Sequence, residues 1–135
     1  MLGLGFIGWQ VNEARKASNV NSLLAFLQDV KEHEHALLRG ETEEEKDQAF
    51  IEFLNFLEAY AAAINGRLFP KVTHKLVREK LIDCIAVITE AKAWYPKLEE
   101  AVTSPTTFQC LTQFTSKERT AINSLVSARR RQRPA

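Results

Sequence analysis

No stretch of this chain alternates apolar and polar residues with a period of two. Apolar residues recur instead at spacings of three and four, the repeat of one face of an α-helix. Between residues 43 and 64, Phe50, Phe53, Leu54, Leu57, Tyr60, Ala61 and Ile64 share such a face, and Phe56 widens it. A stripe that broad belongs to a helix at the centre of a bundle. At 135 residues, 45% of them hydrophobic, the chain can bury the core of one domain. The expected fold is all-α: an antiparallel bundle of about four main helices plus a short C-terminal helical segment.

Glycine and proline divide the pattern. A first helix is expected from about Gly8 to Arg39, with Val20, Leu23, Leu24, Leu27, Val30 and Leu37 or Leu38 along one stripe and Gly40 in the left-handed position past its end. Thr42-Glu43-Glu44-Glu45 reads as a capping box opening a second helix to Ile64, stopped by Asn65-Gly66. Pro70 can start a third stretch to Trp94, with Val72, Leu76, Val77, Leu81, Ile85, Ile88 and Ala91 inward. It is one helix, or two with a break near Glu79–Leu81, and Pro96 ends or kinks it. A short segment over Thr106–Phe114 follows. A second capping box, Thr115-Ser116-Lys117-Glu118, opens a last helix to about Arg130. In domain terms, residues 1–16 form an apolar end leading into the first helix, residues 8–130 the bundle, and residues 131–135 a frayed basic tail.

The N-terminus holds a literal G-x-G-x-x-G, Gly3-Leu4-Gly5-Phe6-Ile7-Gly8. A dinucleotide site needs a strand before the first glycine and a second strand about 30 residues on. Only two residues precede Gly3, and the pattern downstream is helical, so no cofactor is expected. Residues 1–9 are apolar or glycine throughout, with Trp9 at the edge and Arg15 and Lys16 beyond. That order describes the cytoplasmic end of a membrane helix. Spanning takes about 20 apolar residues, and this run has nine. The expectation is therefore either a start cut from a longer membrane-anchored protein or an apolar end that packs on the bundle or on a partner. A signal peptide is not expected, because the charges follow the apolar run.

The segment Gly8-Trp9-Gln10-Val11-Asn12-Glu13-Ala14-Arg15-Lys16, with Phe53-Leu54-Asn55-Phe56-Leu57-Glu58, Ile64-Asn65-Gly66-Arg67-Leu68 and Trp94, resembles an uncharacterised bacterial family of small proteins. Members have one N-terminal membrane helix and a cytoplasmic helical domain. The likeness covers about residues 5–115. It departs at Phe69-Pro70-Lys71, where the family has an acidic pair, and in lacking most of the membrane helix. It implies a bacterial, cytoplasmic and membrane-associated setting, and no activity.

The side chains that could carry chemistry are few. His33 and His35 lie two apart and point to opposite sides of a helix, so one ion cannot take both, and no metal site is expected. His74 has no nucleophile paired with it in sequence. Cys84 and Cys110 lack metal spacing and read as small core residues in a reducing compartment. Asn55 and Glu58, set among Phe53, Leu54, Phe56 and Leu57, are candidates for a buried polar pair, either a pocket or a network that caps a neighbouring loop. Residues 41–60 carry seven acids against Lys46, a balance of −6, and residues 117–135 a balance of +5, which suggests contact between the two segments or between chains. Overall net charge is +1.

The function expected is a non-enzymatic helical interaction or regulatory module at the cytoplasmic face of a membrane. Its contacts would come from Leu4, Phe6, Ile7 and Trp9 and from the basic tail, Arg129, Arg130, Arg131 and Arg133. A protein partner or self-association is expected first, anionic lipid next and nucleic acid after them, with no small-molecule substrate evident. One alternative is a soluble nucleic-acid-associated or mobile-element regulator that uses the tail; another is an enzyme of unrecognised type.

Overall fold

A computed structural model describes the backbone of residues 2–103 and 107–132, and the side chains of residues 20–100 and 107–132. The described residues form six helices and no strand: α1 Leu2–Arg39, α2 Glu43–Asn65, α3 Lys71–Glu90, α4 Tyr95–Thr103, α5 Gln109–Lys117 and α6 Arg119–Gln132. The chain is an all-α bundle.

Helix α2 is the centre, packing on α1, α3 and α5, while α3 also meets α1, α4 and α6. Phe50, Phe53, Leu54, Leu57, Ala61 and Ile64 of α2 are buried, as the periodicity required. They meet Val77, Leu81 and Ile85 of α3, Leu98 of α4, Leu111 and Phe114 of α5, and Ile122 and Val126 of α6 in one core. Tyr60 and Phe56 are only half-buried and belong to a run of packed rings, some stacked and some tilted. Phe26 of α1 lies 4.4 Å from Tyr60 and 5.8 Å from Phe56, centroid to centroid.

The Thr42 capping box forms. Thr42 Oγ1 accepts the Glu45 N–H at 3.1 Å, and the Glu45 carboxylate reaches back to the Thr42 N–H. Several other expectations are corrected. Helix α1 begins at Leu2, so Gly3, Gly5 and Gly8 all lie on helical backbone. Its core-facing stripe is Leu23, Phe26, Val30 and Leu37, whereas Val20, Leu24 and Leu27 are exposed. Among the described residues no glycine has positive φ. Gly40 serves close approach instead, because a Cβ there would stand 3.2 Å from the Lys46 nitrogen.

Helix α3 is unbroken across Glu79–Leu81 and ends at Glu90 rather than Trp94. Val72 and Leu76 face outward, and Thr73, Val77, Leu81 and Cys84 take the inner positions. Pro96 does not stop a helix. It sits in the first turn of α4, where its missing N–H leaves nothing unpaired. The Thr115 capping box does not form: Thr115 lies inside α5, its hydroxyl buried without a partner, and α6 starts at Arg119 after a turn at Glu118. Leu111 and Phe114 on one side of that turn and Ile122 on the other are all buried, and α5 ends with the Glu118 N–H on the Phe114 carbonyl at 2.9 Å.

Candidate functional site

The candidate polar residues Asn55 and Glu58 are placed differently. Asn55 is exposed. Glu58 is half-buried, and its carboxylate accepts the N–H of Cys110 and the N–H of Leu111, both at 3.0 Å. These are orphan donors of the first turn of α5. Phe108, at the N-cap, has left-handed φ 56° and ψ 43° and offers no side-chain cap, so Glu58 supplies the acceptor from α2. Asn65 adds a bond from Nδ2 to the Cys110 carbonyl at 3.0 Å. Spacing alone did not single out Asn65, because its partner lies 45 residues away. Burial and the neighbouring Glu58 carboxylate push the Cys110 thiol up. This arrangement is structural: it clamps α5 to α2.

The basic tail is partly engaged. The Arg129 guanidinium is 2.6 Å from Asp83 Oδ1 on α3, and Asp83 also pairs with Lys80. Arg129 is therefore a tie between α6 and α3 rather than a free contact. Arg130 and Arg131 are exposed, and Arg133 lies outside the described residues. Within the chain, Asp47 of the acidic segment pairs with Lys97 of α4, and Arg129 of the basic segment with Asp83 of α3; Glu118, the acid of the basic segment, meets Arg78 of α3. The side chains of Leu4, Phe6, Ile7 and Trp9 also lie outside those described.

His33 stacks on Phe53 at a centroid distance of 5.7 Å and packs tilted against Phe56 at 4.8 Å, and His35 is exposed. Among the described residues no three His, Cys, Asp or Glu gather to hold a metal ion. Cys84 and Cys110 are free thiols. A cleft of about 450 Å³ opens beside Phe50, Leu54 and Phe108, and its Asp47 and Lys97 are joined to each other.

An apolar surface that the bundle leaves uncovered lies on α1 and α3. Val20, Leu24 and Leu27 are 56%, 58% and 39% exposed. Their spacing of four and three makes a second seam on α1, beside the one that meets the bundle. A groove of about 350 Å³ runs along it, with Leu24, Leu27 and Val30 inside, Lys31 and Glu34 on its α1 rim and Lys80 on its α3 rim. Leu76, 40% exposed, lies one turn before Lys80 on the same face of α3. The second seam was masked in sequence because it interleaves with the first: Leu23 and Leu24 are adjacent, as are Phe26 and Leu27.

No protein-family model matches the chain, and no curated protein and no solved structure matches it either. Among the described residues no helix is long and apolar enough to cross a membrane.

Proposed function

We propose that this protein is a non-enzymatic helical interaction module that pairs with a second copy of itself through the α1–α3 groove. The observation that carries the reading is the exposed seam of Val20, Leu24 and Leu27. Leaving apolar side chains in water forgoes about 25 cal/mol for each Å² that a partner could cover. Self-pairing is favoured over a foreign partner because the rim carries both signs, Lys31 and Lys80 against Glu34. A two-fold interface brings the same patch to itself, and a patch of mixed sign can then be self-complementary. Helix α1 has 38 residues against the 23 of α2, about 20 Å longer at 1.5 Å per residue, so it offers length beyond its own bundle.

The setting we propose is the cytoplasmic face of a membrane. The apolar run of residues 1–9 before Arg15 and Lys16 supports it, as does the likeness to small proteins with one membrane helix.

Oxidative cross-linking tests the pairing. A Leu24→Cys chain should form a covalent dimer under mild oxidation, and a Gln48→Cys chain, altered on an exposed α2 position, should not. Equal rates for the two would mean random collision and would refute the groove. Sedimentation with anionic vesicles separates lipid from protein as the occupant. If the chain is monomeric in water and Leu24→Glu abolishes vesicle binding, the seam faces lipid and the self-pairing reading fails.

A further inference from the structure

A second cleft, remote in sequence from the α1 seam, has an unbalanced charge. It lies between the end of α2, the early turns of α3 and the α5–α6 junction, and holds about 200 Å³. Ile64 and Phe114, both buried, are among its apolar lining. Arg67, His74, Arg78 and Lys117 reach it from three directions. The one carboxylate among its lining residues is Glu118. Glu118 is 9% exposed, and both of its oxygens are taken by Arg78, Oε1 by Nε at 3.0 Å and Oε2 by a terminal guanidinium nitrogen. The bond to Glu118 holds the Arg78 guanidinium pKa above its ordinary value. Arg67 and Lys117, both exposed, thus line the cleft with no carboxylate paired to them among the described residues. Lys46, Lys80, Lys97 and Arg129 each lie against a carboxylate, on Glu43, Asp83, Asp47 and Asp83, whereas the cleft gathers Arg67, Arg78 and Lys117 around the single acid Glu118.

The position of Arg67 is built by the backbone. Helix α2 ends with the Arg67 N–H on the Ile64 carbonyl at 3.1 Å and the Leu68 N–H on the Ala63 carbonyl at 3.0 Å. That is a Schellman ending, and its left-handed position normally goes to glycine. Here Gly66 takes ordinary helical angles and Arg67 takes φ 53°. A side chain is kept where the backbone would favour none, and it lines the cleft.

We infer that this cleft binds a small phosphorylated solute, with Arg67, His74 and Lys117 around the phosphate and the Arg78–Glu118 pair as its fixed wall. A phosphomonoester carries about 1.5 to 2 negative charges at neutral pH. That matches the two cations left without an acid, whereas a single carboxylate would neutralise only one. The arginine fork and the lysine point charge suit phosphate oxygens in complementary ways. The inference is independent of the α1 seam.

The test is a backbone-amide NMR titration of the full chain with inorganic phosphate and with glycerol phosphate, each at constant ionic strength in chloride. Shifts should be confined to the residues around Arg67, His74 and Lys117. Arg67→Gly removes a cation and relieves the left-handed strain, so it should melt no lower than the parent while binding at least about tenfold more weakly. Lys117→Gln should weaken binding similarly, and Lys92→Gln, at an exposed site, should leave it unchanged. Shifts spread over all exposed lysines and arginines, affinity unchanged in both Arg67→Gly and Lys117→Gln, or no response to either phosphate would each overturn the inference.

Discussion

Glu58 on α2 accepts the backbone N–H of Leu111 at 3.0 Å, and so caps a helix that starts at Gln109, 51 residues further along the chain. An N-terminal cap normally comes from the residue just before the helix. Phe108 cannot provide it, so the two N–H groups of Cys110 and Leu111 depend on one carboxylate. Glu58→Ala should lower the unfolding free energy by about 1–3 kcal/mol, the cost of leaving half-buried donors without an acceptor. Glu58→Gln, which keeps one acceptor oxygen, should cost less. Urea melts of the two variants check the order; equal losses would mean that the side chain acts through packing.

The two faces of the helices should differ in energy. Leu57 is fully buried, so Leu57→Ala should cost about 2–5 kcal/mol. Leu24 is more than half exposed, and at concentrations where the chain is monomeric Leu24→Ala should change stability by less than about 0.5 kcal/mol. Chemical denaturation of both variants in dilute solution measures the contrast.

Burial pushes the Cys84 thiol from 9.0 up to about 12. Below pH 9 the thiol is protonated whether the chain is folded or not, and it adds no pH dependence. Between about 9 and about 12 the unfolded thiol loses its proton and the folded one keeps it. The unfolded state then binds fewer protons, so stability falls as pH rises through that window. Tyr60, also raised by burial and by Asp29, acts in the same direction. Cys84→Ala should therefore flatten the alkaline loss without abolishing it. Urea midpoints measured across the window, parent against variant, give the two slopes.

How much of this was legible in sequence depended on the range of each interaction. The buried face of α2 was readable because its residues repeat every three or four positions along one helix, and the Thr42 cap because its partner Glu45 lies within one turn. The Pro96 region was misread because proline fits both the end of a helix and the first turn of the next, and only the burial of Leu98 decides between them. The Glu58 clamp was visible only as one of two alternatives for a polar residue on an apolar face, and its Asn55 companion proved exposed. The α1 register could not be resolved locally. Leu23–Leu24 and Phe26–Leu27 place apolar residues on two adjoining seams, and the ring contact of Phe26 with Tyr60 selects one of them. The seam that the bundle leaves uncovered is the one proposed for pairing.

Sedimentation equilibrium tests that pairing most directly. Parent chain and a Leu24→Glu/Leu27→Glu variant are compared over a range of concentrations, with circular dichroism confirming equal helix content. The parent should sediment at twice the 15.3 kDa of one chain, and the variant at one chain's mass. A parent that stays at one chain's mass throughout, or a variant that keeps the parent's mass, would contradict pairing through the α1–α3 groove.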